Sequence, residues 1–155
     1  PIIDLLDTRD EARVVGHLGP DILGSDWEPG PAVERLRRDP SAEIGVALLE
    51  QRNLAGIGNL YKCESLFIAG VSPWRTVQDV DDLAGLVTTA HRLLDRNKAR
   101  PSQSTTGEEG YGRTHFVFER AGRQCRRCGA TIRRARQGAA PADRATYWCG
   151  ACQAD

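Results

Sequence analysis

"LLEQRNLAGIGNLYKCESLFIAG", residues 48–70, is the stretch on which the fold turns. Apolar residues recur at helical spacing on both sides of "RNLAGIGN", and the two glycines Gly56 and Gly58 interrupt the periodicity between them. The spacing therefore predicts a helix, a tight turn and a second helix starting at Asn59, with Leu60, Cys63, Leu66 and Phe67 facing inward. Gly70 is placed to stop that second helix in a left-handed conformation. At the start of the second helix, free backbone N–H groups and the positive end of the helix dipole point outward. Gly58 lets a main chain approach closely there, Asn59 offers a side-chain amide, and Lys62, a turn further on, adds positive charge. An anion such as a phosphate suits that arrangement. The same residues also fit a plain helix cap with packing glycines.

Outward from this stretch, residues 10–18 fit a short amphipathic helix. Pro31 opens another helix that runs to about Arg38, and Ser41 is placed to cap the run "AEIGVALLEQ". The longest helix is expected over residues 80–96, with Leu83, Leu86, Val87, Ala90, Leu93 and Leu94 on its buried face. Residues 101–114 change to Ser, Thr, Gln and Gly and read as a mobile loop, after which "HFVFER" alternates like a strand.

Cys125, Cys128, Cys149 and Cys152 follow as C-x2-C-x20-C-x2-C. Two such knuckles bring four thiolates to one Zn2+, and a shell of four cysteines leaves no coordination position for substrate or water. The expected cofactor is thus a single structural zinc. Thr131–Ile132 and Thr146–Tyr147–Trp148 predict a hairpin between the knuckles, with arginines 133, 134, 136 and 144 around a "QGAAPAD" tip. Guanidinium groups near a hairpin tip suit a groove or a phosphate, and a zinc ribbon that binds RNA or protein is the alternative. Cys63, the fifth cysteine, reads as a small core residue, and His17, His91 and His115 do not cluster in sequence.

The net charge of zero hides an asymmetry. Residues 1–95 carry 9 Lys+Arg against 16 Asp+Glu, whereas residues 96–155 carry 12 against 5. A metal-loaded four-thiolate cluster makes the second part less positive, near about +5, and it still favours a polyanionic partner. No apolar run approaches the length of a membrane span, so we expect no membrane partner and a cytoplasmic protein.

"LLEQRNLAGIGNLYKCESLFIAGVSPW" resembles the helix-two-turn-helix of the Fpg/Nei family of DNA glycosylases. "FVFERAGRQCRRCGATI" and "DRATYWCGACQ" resemble that family's zinc finger, and "HLGPDIL" at 17–23 resembles the entry to the same region. The resemblance implies a mainly α fold, a helix-two-turn-helix bundle followed by a small four-cysteine zinc-finger β-hairpin. It further implies backbone phosphate contacts from Asn59 and Arg144, zinc ligation by the four cysteines, and damaged or abasic duplex DNA as partner. Glu64 matches a family glutamate and is expected to bond loop amides. Two departures stand out: the knuckles lie further apart than is usual for the family, and Asp143 precedes Arg144 where a glycine is usual.

In the family an N-terminal proline amine and the adjacent glutamate excise damaged bases and cut abasic sites. Here Ile2 and Ile3 follow Pro1, so no catalytic residue is assigned to this chain. The resulting expectation is a lead-in at 1–16 from an absent catalytic domain, a DNA-binding unit at 17–100, the loop at 101–114 and the finger at 115–155. The "FERAG" and "KCESLF" stretches lean towards the endonuclease VIII branch.

Overall fold

The computed structural model describes residues 16–154. Its elements run α1 (Pro29–Leu36), α2 (Ile44–Ala47), α3 (Asn59–Ala69), a 3-10 turn (Val77–Asp79) and α4 (Leu83–Asn97). The strands β1 (Arg133–Gln137) and β2 (Arg144–Trp148) come last. The strands pair antiparallel, with Arg133 opposite Trp148 and Gln137 opposite Arg144. Residues 1–15, and with them most of the helix expected over 10–18 and of the lead-in, lie outside the described residues.

Each helix begins and ends for a local reason. Pro at the opening turn presets the backbone of α1. Gly70, at φ 71°, closes α3 in the left-handed region as expected. The Asp82 side chain caps α4 by accepting from the Gly85 N–H at 2.8 Å. All six apolar positions anticipated on α4 are buried. They join Leu36, Ile44, Leu48, Leu54 and Leu66 in the larger of two cores.

Two expectations fail. Ser41 does not cap α2: its hydroxyl donates to Asp39 at 2.8 Å, and Glu43 stands at the cap position. The helix is also only four residues long, and the N–H groups of Ile44 and Gly45 in its first turn donate to the carbonyls of Arg75 and Pro73 at 2.8 and 3.0 Å. "HFVFER" forms no strand. Its consecutive N–H groups of Phe116, Val117 and Phe118 all converge on the buried Glu64 carboxylate, at 2.9, 2.8 and 2.8 Å. Successive amides of a strand point to opposite sides, so three that meet on one group must curl.

The second core consists of Cys63, Phe67, Val117, Cys125, Ile132 and Cys149. It lies between α3 and the cysteine region, so α3 contributes to both cores and seven consecutive residues, 61 to 67, are buried. Residues 101–114 are pinned at their base. The Asn97 amide brackets Ser104 at 2.7 and 3.0 Å, and the Thr105 N–H donates to the Thr114 carbonyl at 2.8 Å. The tip carries a fully exposed Tyr111. No helix among the described residues is long and apolar enough to cross a membrane.

Glu64 accepts from three amides and from the Thr105 hydroxyl, so deleting it strands three buried or part-buried amides, while the hydroxyl keeps the Thr114 carbonyl at 3.2 Å. Glu64→Ala is expected to cost about 3 kcal/mol or more, since each abandoned donor loses a charge-assisted bond. Urea denaturation checks this, and a loss below about 1 kcal/mol contradicts it.

Candidate nucleic-acid interface and metal centre

The cysteine knuckles are built as their spacing implies. Gly129 follows the first pair at φ +78°, and its N–H donates to the Cys125 carbonyl at 2.9 Å. Gly150 keeps an ordinary φ. What it accommodates instead is Arg133, whose guanidinium would lie 3.2 Å from an added Cβ. The four sulfurs lie within 4.8 Å of one another, with Cys125–Cys152 at 3.9 Å and Cys128–Cys149 at 3.5 Å. A tetrahedral site with metal–sulfur bonds of about 2.3 Å has edges of about 3.8 Å, so the cluster is sized to hold a metal ion. Burial, reinforced by hydrogen bonds with the other thiols, pushes Cys152 up to about 12. A bound divalent cation reverses that balance and favours the thiolates. Cys63 stands apart, fully buried, its thiol pushed up chiefly by burial, as a core residue would be.

At the other end of the hairpin, residues far apart in sequence meet. Gly58 caps α3 at φ −103°, with nothing within 4 Å of the position a Cβ would take. The turn before it is tied by Gln51, which accepts from the Gly56 N–H at 3.0 Å, while Gly56 takes φ +90°. Asn59 donates through Nδ2 to the Ala145 carbonyl at 2.8 Å, and its buried Oδ1 has no partner. Ala145 adjoins Arg144, the exposed first residue of β2. Asn59 and Arg144, singled out separately from the sequence, thus belong to one locus. The Arg144 guanidinium is steadied by the carbonyls of Ala142 and Asp143, each at 3.0 Å. Asp143 pairs with Arg136 and so leaves Arg144 without a carboxylate of its own. That bond holds the Asp143 carboxyl below the usual carboxylate range.

Lys62 departs from its expected place as an exposed charge. It is fully buried, and its amine donates to Thr146 Oγ1 at 2.6 Å. Thr146 in turn donates to Gln137 Oε1 at 3.0 Å. Gln137 Nε2 reaches the Glu43 carboxylate at 2.9 Å and the Pro73 carbonyl at 2.8 Å. This chain of polar groups joins α3, β1, β2 and the start of α2. Sequence reading missed Thr146, Gln137 and Glu43, because a neutral residue in a strand carries no mark of a partner 84 or 94 positions away.

Arginines 123, 126, 127, 133, 134, 136 and 144 are exposed, so the basic part presents its charge outward. Some of these side chains also serve the fold: Arg127 lies 4.3 Å over the Phe67 ring, and Arg126 donates to the carbonyls of Gly112 and His115. The histidines remain apart. His91 bonds the Ile22 carbonyl at 2.7 Å and stacks on Trp27, and His115 meets Phe118 edge-on.

Comparison with known proteins finds the formamidopyrimidine-DNA glycosylase H2TH domain over residues 18–105. A probable endonuclease 8 2 of Streptomyces coelicolor is 51% identical over 156 residues, which cover 99% of this chain and 56% of that protein. The DNA-(apurinic or apyrimidinic site) lyase Nei2 of Mycolicibacterium smegmatis is 41% identical, over 98% and 59% of the two chains. Among solved structures, MutM in complex with DNA containing carbocyclic 8-oxo-G superposes with a TM-score of 0.78 at 26% identity, over 97% of this chain and 57% of that one. Lactococcus lactis Fpg bound non-covalently to DNA with an AP site gives the same TM-score and identity, over 97% and 55%. The chain spans little more than half the length of the relatives it matches.

Because Cys125 and Cys149 share a core with Cys63 and Phe67 of α3, metal loss should reach beyond the knuckles. Stripping the metal with a chelator is expected to lower the midpoint of the helical circular-dichroism melt as well as unfolding the hairpin. A helical transition unchanged by chelation would show the two cores to be independent.

Proposed function

Since this chain belongs to the Fpg/Nei family of DNA glycosylases, we propose that it is the DNA-gripping region of an endonuclease VIII-like glycosylase and AP lyase. The observation that carries this reading is the bond from Asn59 to Ala145, which sets the start of α3 beside Arg144 on one edge. Gly58, Asn59 and Arg144 are the proposed backbone contacts. Gly58 admits a phosphate to the helix N-terminus, the second Nδ2 hydrogen of Asn59 is left to donate, and Arg144 supplies an uncompensated guanidinium fork. Lys62 supports this edge from within rather than touching DNA.

In this reading a mainly α unit at 17–100 and a finger at 115–155 act as one monomeric clamp, with the loop at 101–114 beside them. The bound metal is a single structural Zn2+, held by Cys125, Cys128, Cys149 and Cys152. It supplies fold stability and no chemistry, because four thiolates close its shell. The partner is duplex DNA that is damaged or abasic, in keeping with the DNA named for the structural relatives. The parent enzyme excises oxidised bases and cleaves abasic sites by β/δ-elimination, in a cytoplasmic, nucleoid-associated setting. These 155 residues bind such DNA without cleaving it, since the resemblance assigns the chemistry to a Pro-Glu pair that is not among them.

Two experiments test the proposal. Asn59→Ala and Arg144→Ala are each expected to weaken binding to duplex DNA carrying an abasic analogue by about 1 to 3 kcal/mol. Fluorescence anisotropy titration at fixed salt measures it, and unchanged affinity in both variants removes the proposed footprint. Asn59 also orients the strand bearing Arg144, so the double variant should lose less than the two single losses together. In the second experiment, borohydride is added to the chain on abasic-site DNA. No covalent adduct should form, and a trapped adduct would overturn the division between grip and chemistry.

A further inference from the structure

Lys62 is among the largest fully buried side chains of the described residues, and no carboxylate touches its amine among them. An ammonium removed from water without a counter-ion is costly to keep. Its acceptor across the helix–hairpin contact, Thr146 Oγ1, lies on the strand that also bears Ala145 and Arg144, and the neighbouring Cys63 thiol bonds it on its own helix. Asn59 and Lys62, three residues apart, therefore clamp the first turn of α3 to successive residues of β2, the one through the Ala145 carbonyl and the other through Thr146. Gln137, the next group in the chain of bonds, is the cross-strand partner of Arg144. Lys62 thus shares with Asn59 the tie between the α3 N-terminus and the strand that bears Arg144.

We propose that Lys62 is a positioning residue for Arg144 whose protonation is linked to DNA binding, so that phosphate at the α3 N-terminus and a proton on the buried amine favour one another. This inference rests on the reading of that edge as a DNA-backbone contact. Residues 59 and 62 are about 4.5 Å apart along the helix axis, and an anion held at the first is separated from the amine by protein rather than by water. A phosphate there is the counter-charge that the free chain lacks.

The groups facing Lys62 do not supply that charge. On its own helix Cys63 is beside it; burial pushes that thiol up and so disfavours the thiolate, although the Lys62 amine draws it the other way. Tyr61 is likewise pushed up by burial. Glu64 is directed to the amides of 116–118. The hairpin offers only Thr146 and Gln137, both neutral. From the α2 side Glu43 is one residue removed, behind Gln137, and Glu50 shares with Lys62 the walls of a cleft of about 280 Å³. Burial accordingly holds the Lys62 ammonium below the ordinary lysine range in the free chain.

The sign of the linkage follows. Below the free-state pKa of Lys62 the amine is already charged, and DNA binding moves no proton. Above it, binding must take one up, so affinity falls by up to about tenfold per pH unit until the bound-state pKa is reached. The test measures the affinity of the zinc-loaded chain for duplex DNA with a tetrahydrofuran abasic analogue, from pH 7 to 10 at constant ionic strength, for wild type and Lys62→Met. Affinity of the wild type should fall with pH, while the variant should bind more weakly at the acidic end and show a flatter profile. The same slope in both overturns the inference. Calorimetry on the wild type in two buffers of different ionisation enthalpy decides it independently of the variant's folding: proton uptake supports the linkage, and none across the range overturns it. Binding with no linkage leaves the DNA-gripping reading standing, whereas no binding at any pH removes both.

Discussion

A single carboxylate, that of Glu64, is surrounded by the N–H groups of Phe116, Val117 and Phe118 and by the Thr105 hydroxyl, and it is wholly shut off from water. An ionised carboxylate is an acceptor with about four lone-pair sites and no donor, and four donors meet it. That match, with the Arg120 guanidinium nearby, makes the burial of the carboxylate tolerable. It also decides where the chain goes after α4. The loop base at 104–106 and the approach to the cysteines are both tied to the same two oxygens, so the second core can form only where Glu64 places it.

Lys62 works on the other side of the same helix. Residues two apart on a helix are about 200° apart around its axis, so Lys62 and Glu64 address different neighbours. Glu64 holds the segment entering the finger, and Lys62 holds the hairpin leaving it. An apolar helix buried on all sides could slide or rotate against its neighbours with modest loss of contact area. Two polar groups with different partners forbid it, because even a small rotation takes the ammonium off the Thr146 hydroxyl and the carboxylate off its amides, and leaves both buried without partners. The register of α3 between its two cores is therefore specified by polar groups rather than by apolar area.

The same two residues mark the boundary of what the sequence discloses. Helix α4, the Gly70 stop and the cysteine site were legible because each depends on spacing within a few residues. Asn59 and Arg144 were legible as types and positions, but not as neighbours. "HFVFER" misled because alternating aromatic and β-branched residues carry a strand's period, and what curls it lies more than 50 positions upstream in Glu64. Lys62 misled for a related reason: a lysine on a helix is ordinarily solvated, and the hydroxyl that admits it to the interior lies 84 positions downstream. Local pattern gives the elements, while the polar contacts that fix their mutual placement are distant and have no period.

The hairpin's departure from the family pattern is consistent with this arrangement. The end of β1 next to the turn is pressed against α2: an added Cβ at Gly45 would lie 2.3 Å from Gln137 Oε1, so glycine there leaves room for the glutamine that completes the Lys62 chain. Beyond Gln137 the tip lengthens, and the aspartate at 143 introduces a negative charge beside the proposed phosphate contact. Arg136 takes up that charge across the hairpin end. The Arg144 guanidinium bonds two carbonyls and makes no ion pair with Asp143, although it lies within that carboxylate's field. An extension that would otherwise weaken an anion site is thus partly compensated, because the added carboxylate is bonded chiefly by Arg136 within the hairpin and only more weakly felt by Arg144.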